Sequence, residues 1–147
     1  MLLRHFTDSD IPVLQRYMFK GMSTDEIARI LREWDSLKYG GKYLEMFAVT
    51  GENAVVGTIS LMENSKSVVS FGFEVFPEYR RKGYALRAIE AAIKVAGEKG
   101  FAVVLDQVRT DNAASIALHE KAGFEKLEYE YTNQKGRNVC LFEKTLV

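Results

Sequence analysis

Apolar positions along the chain keep a short period, lengthen it, and return to it. From Met1 to Phe6 they alternate weakly, which predicts a short first strand. Thr7, Asp8 and Ser9 offer helix caps ahead of Ile11, Val13, Leu14 and Met18, and Pro12 suits a first helical turn, where its missing N–H leaves nothing unpaired. Ser23-Thr24-Asp25-Glu26 has capping-box spacing. Ile27, Ile30, Leu31, Trp34 and Leu37 follow at intervals of three and four, an amphipathic second helix ended by Gly40-Gly41.

At Tyr43 the period falls to two. Tyr43 to Thr50, Ala54 to Met62 and Val68 to Phe76, separated by Gly51-Glu52-Asn53 and Glu63-Asn64-Ser65-Lys66, predict an antiparallel meander. A helix from about Gly83 to Lys99 places Leu86, Ile89, Ile93 and Ala96 on one face, and Gly100 closes it. Phe101 to Val108 is a largely apolar run of the kind a central strand carries, interrupted by Asp106. Strand, crossover helix and strand imply one parallel pairing. Asn112 to Lys121 predicts a further helix ended by Gly123. Glu125 to Asn133 and Arg137 to Leu146 then form a last hairpin across Asn133-Gln134-Lys135-Gly136.

Composition narrows the class. A chain of 147 residues makes one ordinary domain, 1–147, able to bury about two-thirds of its unfolded surface. Twenty basic and twenty acidic residues give zero net charge, so no global field draws in nucleic acid or an anionic membrane. The lone Cys140 excludes an internal disulfide and reads as a core residue. His5 and His119 do not make a metal site. With neither an apolar run long enough to span a bilayer nor a signal segment, the expectation is a cytoplasmic protein.

Candidate chemistry concentrates between Val68 and Gly100. The expected helix there starts among Arg80, Arg81, Lys82, Gly83, Tyr84 and Ala85. A helix start presents backbone N–H groups without intrahelical partners and about half a positive charge. Gly83 puts no side chain in the way of an approaching anion, and Ala85 adds little. The spacing matches neither G-x-G-x-x-G nor the G-x-x-x-x-G-K-[ST] phosphate loop.

R-R-K-G-Y-A, Arg80 to Ala85, resembles the R/Q-x-x-G-x-G/A signature of the GNAT superfamily of acyl-CoA N-acyltransferases, and it follows a strand ending V-F-P-E-Y as that signature does. Downstream, D-N-A-A-S-I-A-L-H-E-K-A-G-F, Asp111 to Phe124, is similar to the family's N-x-x-S-I-x-L-Y-E-K-x-G-F segment. The resemblance covers roughly residues 60 to 130. It implies an α/β (α+β) fold with a mixed, mostly antiparallel sheet of about seven strands and about four helices, acetyl-CoA entering between splayed strands. It implies N-acetylation of a primary amine, on a small molecule or a protein N-terminus, by direct attack without a covalent enzyme intermediate; a homodimer is consistent with it. Backbone groups near Val75 and Phe76 are then expected to hold the pantetheine arm, and the amides from Arg81 to Leu86 the pyrophosphate. Asn112 matches the family's Asn near the pantetheine, and Ser115 joins it.

Where the family has a Tyr as general acid, this chain has His119. An imidazolium with a pKa near 6.5 suits proton transfer to a leaving thiolate. The acid step is equally open to Tyr129 or Tyr131, or is not required, and the substitution leaves room for a second class, a non-catalytic CoA-binding or regulatory module. Asn112, Ser115 and His119 share one helix face, and that polar stripe must face something; the other reading makes Asn112 a cap and His119 a surface residue. Glu74, between Phe73 and Val75, is the leading base for an alkyl amine whose pKa lies near 10.4; the alternative is a strand residue facing solvent. Asp106 reads as a buried polar partner and Asp111 as a turn or cap residue. Trp34, Tyr39, Tyr43, Tyr131, Glu128 and Glu130 fall in the regions expected to choose the acceptor.

Overall fold

The computed structural model describes residues 2–146; Met1, at the start of the expected first strand, lies outside them. Strand β1 (Leu3–Arg4) leads through a 3-10 turn, Asp8–Asp10, into helices α1 (Ile11–Tyr17) and α2 (Thr24–Asp35). The meander follows as β2 (Lys38–Tyr39), β3 (Lys42–Gly51), β4 (Ala54–Ser65) and β5 (Val68–Val75). A second 3-10 turn, Pro77–Tyr79, precedes α3 (Tyr84–Glu98). Then come β6 (Val103–Arg109), α4 (Ala113–Lys121), β7 (Glu125–Thr132) and β8 (Asn138–Thr145).

Caps explain the helix starts. The Ser23 hydroxyl accepts from the Glu26 N–H and the Glu26 carboxylate accepts from the Ser23 N–H, both at 3.1 Å, so two orphan donors are satisfied reciprocally. Helix α2 stops at Asp35 rather than at Leu37, because Leu37 turns into the left-handed region at φ 57° and the chain pairs at once as β2 with β3. Among the described residues the expected set of about seven strands is therefore eight, in the order β1-β3-β4-β5-β6-β8-β7 with β2 against β3.

The sheet is covered on both faces. Helix α3 buries Tyr84, Ala88, Ile89, Ala92 and Ala96 on one face, where they meet Phe47, Val49, Val69, Phe71 and Val104. Its buried stripe is rotated from the expected one, Leu86 and Ile93 being only partly covered. Helices α1 and α2 bring Leu14, Ile27 and Leu31 to the other face, against Ala48, Val55 and Phe76. Successive residues Phe47, Ala48 and Val49 are thus all buried, which is why strand β3 reads as an apolar run there.

Gly57 fixes how closely β4 approaches β5. A Cβ there would lie 2.2 Å from the Glu74 carbonyl oxygen and 3.0 Å from Val75 Cα, both backbone atoms that cannot step aside. Gly57→Ala is expected to destabilise the protein by about 1–3 kcal/mol, the range for overpacking. Gly72→Ala, whose Cβ would meet only the Ser60 hydroxyl at 3.3 Å, should stay near wild type. Urea unfolding midpoints of the two variants check this.

Candidate active site

Parallel pairing between β5 and β6 covers only Val68 with Val103 and Val69 with Val104. Beyond that the two strands part: β5 stays with β4 as far as Val75, and β6 stays with β8 as far as Arg109. The edge of β5 facing the gap therefore carries backbone groups without a strand partner, a place for an extended amide-bearing chain to pair. The Phe76 N–H points away from the gap and donates to the Val56 oxygen at 2.8 Å. By alternation, Phe73 and Val75 present their backbone to the open side, and the Val75 oxygen accepts from Arg80 Nε at 2.8 Å. Of the expected pantetheine pair, Val75 keeps an open edge, whereas Phe76 is fully buried with its ring stacked on Tyr17 at 4.1 Å. Phe73 escaped the sequence reading because strand edges are not visible in a sequence.

A cleft of about 290 Å³ opens at the end of this gap. Val75, Tyr79, Arg80, Arg81, Gly83, Tyr84, Ala85 and Leu86 line one side, and Leu118 and Lys121 of α4 line the other. The loop is shaped by two left-handed residues, Arg81 at φ 66° and Gly83 at φ 83°, and a Cβ on Gly83 would meet nothing within 4 Å. Gly83 offers no side-chain cap, and the first helical amide to find its partner is Arg87, whose N–H meets the Gly83 oxygen at 3.3 Å. Among the described residues the N–H groups of Tyr84, Ala85 and Leu86 have no partner, the feature that makes a helix start able to take an anion. Lys121 adds a cation that sequence spacing could not place there. Lys82 does not line the cleft: its ammonium lies 3.1 and 3.3 Å from the two Glu52 carboxylate oxygens, and the Tyr84 hydroxyl donates to Glu52 at 2.9 Å. The hydrogen bonds from Lys82 and Tyr84 hold the Glu52 carboxyl below its ordinary value. A larger open hollow of about 1030 Å³ lies between α1 and the β3–β4 turn, shares only Tyr79 with the cleft, and is walled by the Arg4–Asp10 ion pair.

His119 is 1% exposed. Its ring stacks on Phe71 of β5 at 5.4 Å and packs against Phe124 and Phe142, each at 5.2 Å. Nδ1 donates to the Ser115 carbonyl oxygen and Nε2 donates to the Asp106 carboxylate, both at 2.7 Å. Both partners offer oxygen acceptors, an arrangement that favours hydrogen on both ring nitrogens and so the imidazolium form. Burial pushes its pKa down, but the hydrogen bonds to Asp106 and to the Ser115 carbonyl outweigh it and leave the value raised. With each N–H already directed at an oxygen, His119 has no proton aimed into the cleft. It braces the gap, joining β5 through Phe71 to β6 through Asp106. Of the polar stripe on α4, His119 meets Asp106, which is a polar partner but partly exposed rather than buried, while Asn112 is the exposed cap.

Asn112 is the α4 cap, its side chain accepting from the Ser115 N–H at 3.1 Å. Neither it nor Ser115 lines the cleft. Asp111 pairs with Arg109 at 2.9 Å. Glu74 is exposed and makes no side-chain hydrogen bond or ion pair among the described residues; it sits opposite Thr58 on the face away from Phe73 and Val75. Tyr131 lies across β8 from β6, its hydroxyl accepting from Gln107, and its ring packs tilted against Tyr129 at 5.4 Å. Tyr43 and Trp34 are packed into the structure rather than lining the cleft, Tyr43 bonding Glu45 and Trp34 meeting Phe6 and Phe19. Cys140 is fully buried. Among the described residues no cluster of His, Cys, Asp and Glu could hold a metal ion, and no helix is long and apolar enough to cross a membrane.

A sheet splayed beside a basic loop that opens a helix is the arrangement expected above from the acyltransferase resemblance. The acetyltransferase (GNAT) domain pattern matches residues 1–125, and the chain belongs to that family. It is 32% identical over 102 residues, 67% of its length, to the SPbeta prophage-derived uncharacterized N-acetyltransferase YokL of Bacillus subtilis (strain 168). Over 54 residues, 37% of its length, it is 39% identical to the [ribosomal protein bS18]-alanine N-acetyltransferase of Escherichia coli (strain K12). The matched segments span 58% and 36% of those two relatives. The fold is similar to that of RimL, the ribosomal L7/L12 alpha-N-protein acetyltransferase, solved in complex with coenzyme A: TM-score 0.81 at 17% identity, over 97% of this chain and 92% of that one.

Proposed function

We propose that the chain is an acetyl-CoA-dependent N-acetyltransferase whose acceptor is a primary amine, with a protein or peptide N-terminus as the substrate class. The observation that carries the reading is the unpaired edge of β5 running into a basic, amide-lined cleft. That edge pairs with the amides of a pantetheine arm, and the amides of Tyr84 to Leu86 with Arg81 and Lys121 hold the phosphates. The amine nitrogen attacks the thioester carbon, the C–S bond breaks, and the thiolate leaves with a proton. Placing the two reactants together supplies on the order of 7–11 kcal/mol without a covalent enzyme intermediate.

The acceptor class follows from the proton. An alkyl ammonium with a pKa near 10.4 needs a strong base to become a nucleophile, whereas an α-amine at about 7.7–8.0 is already partly neutral at pH 7.5. Glu74, exposed and without a side-chain partner among the described residues, is the candidate to relay a proton from an α-amine to water. Two of the similar proteins are named for acetylating ribosomal proteins, one of them at the α-nitrogen. With both His119 N–H groups engaged, Tyr131, whose oxygen accepts from Gln107 and keeps its own hydrogen, is the candidate to protonate the thiolate.

Release of CoA thiol should be followed with acetyl-CoA against N-terminal peptides, spermidine and lysine derivatives. A kcat/KM for peptide N-termini at least about tenfold above the alkyl amines at pH 7.5 is expected, the gap narrowing as pH rises. A preference for alkyl amines would overturn the acceptor class, and no thiol release with any amine would overturn the enzymatic reading.

A further inference from the structure

Of the three cations in the loop before α3, Arg81 is without a side-chain partner among the described residues, Arg80 bonds the Val75 oxygen, and Lys82 is held by Glu52. Glu52 does not belong to the loop. It comes from the β3–β4 turn, where Glu52 at φ 51° and Asn53 at φ 60° are both left-handed, the geometry of a tight turn matched to strand twist. Gly51 brings this turn against the first residue of α3: a Cβ on Gly51 would lie 2.3 Å from the Tyr84 ring. The Tyr84 hydroxyl then donates to the same carboxylate that holds Lys82. Three contacts made by neighbouring residues thus seat one negative charge beside the anion-binding loop, occupying the cation that follows Arg81.

We propose that Glu52 is a resident counter-charge that sets how tightly the cofactor's phosphates are held, a specificity and release determinant that never touches the reacting atoms. This rests on reading the loop as the phosphate site. The Lys82–Glu52 pair is exposed on both sides, with side-chain accessibilities of 48% and 42%, so water screens it and it is weak. A pyrophosphate, carrying more charge than a carboxylate, draws Lys82 away from Glu52. The carboxylate left behind, still anchored by Tyr84, then repels the bound phosphates. Weaker retention of CoA is the consequence, which favours release of the spent carrier.

The test is equilibrium binding of CoA and of pantetheine, which lacks the phosphates, to the wild type, Glu52→Gln and Glu52→Lys at low and high salt. The amide of Glu52→Gln still accepts from Tyr84, so the turn stays docked. CoA affinity is expected to rise in the order Glu, Gln, Lys, by about three- to tenfold at the first step in low salt. The difference should collapse in 1 M salt, where the Debye length is about 3 Å, and pantetheine should bind all three alike. A purely bracing role predicts the opposite order, with every substitution weakening CoA. Unchanged or weaker CoA binding in Glu52→Gln overturns the inference, as does an equal gain for pantetheine. If the wild type itself does not bind CoA at millimolar concentration, the phosphate-site reading falls and this inference with it; if it binds and the variants do not differ, this inference alone falls.

Discussion

Gly83→Glu is expected to abolish the stabilisation that CoA confers. Gly83 stands at φ 83° with open space where a side chain would project, at the mouth of the cleft and one residue before the free amides of Tyr84 to Leu86. A glutamate there brings a negative charge within about 5 Å of the bound phosphates, worth roughly 3 kcal/mol of repulsion per charge pair at an effective dielectric of 20, or about a hundredfold in affinity. In the wild type, a ligand at 100 times its dissociation constant adds about 2.7 kcal/mol to unfolding, a midpoint shift of roughly 5–10 °C for a chain near this length. That shift should vanish in Gly83→Glu. Gly83→Ala carries the same backbone strain without the charge, so it should unfold somewhat earlier yet keep most of the CoA response. Retention of the full shift by Gly83→Glu would mean that the phosphates lie elsewhere.

Asp106→Ala should be the most destabilising of the substitutions considered. It strands an imidazolium enclosed by Phe71, Phe124 and Phe142, and breaking a buried pair by removing one partner costs about 3–5 kcal/mol. Asp106→Asn is the sharper probe, since it keeps an acceptor for Nε2 and removes only the charge. The folded-state pKa of His119 is raised, so the pair's contribution is fully present below the unfolded value of about 6.5 and declines as pH rises through the higher folded value. The stability deficit of Asp106→Asn relative to the wild type should therefore be largest near pH 6 and shrink toward pH 9, measured by urea unfolding at each pH. A deficit that is flat or grows with pH would show that His119 is neutral in the folded protein. Because the β5–β6 gap is joined through this pair, Asp106→Asn should also weaken CoA binding even where it folds fully.

Sequence reading reached the order of elements because the signals involved are local. Capping at Ser23 and Glu26, the change of period at Tyr43, and the turn at Asn133 to Gly136 each depend on residues within a few positions of one another. Boundaries differ from the local signals where long-range pairing decides them. Lys38 and Tyr39 extend only because Tyr43 and Lys42 lie opposite, and the first strand shrinks to Leu3 and Arg4, the residues with partners in β3. Insertion of β8 between β6 and β7 has no local signal either.

The site divides along the same line. Gly83, the cations around it and the free amides of Tyr84 to Leu86 follow from a glycine-containing helix start, so the chain's own sequence determined that an anion could sit there. Which groups share that place was decided by packing. Lys82 was expected beside the phosphates, and the β3–β4 turn delivers Glu52 to it; Lys121 was not expected, and α4 delivers it to the cleft. His119 presents the plainest case. Its spacing from Asn112 and Ser115 put it on a polar helix face, yet whether an imidazole in that position donates a proton or holds one depends on what stands opposite. Asp106 on β6 and the Ser115 carbonyl stand there at 2.7 Å, and two acceptors on one buried ring favour its holding a proton rather than giving one. Periodicity and capping act over one or two turns and are written in the chain, whereas the charge state of a buried group depends on neighbours that only the folded sheet brings within reach.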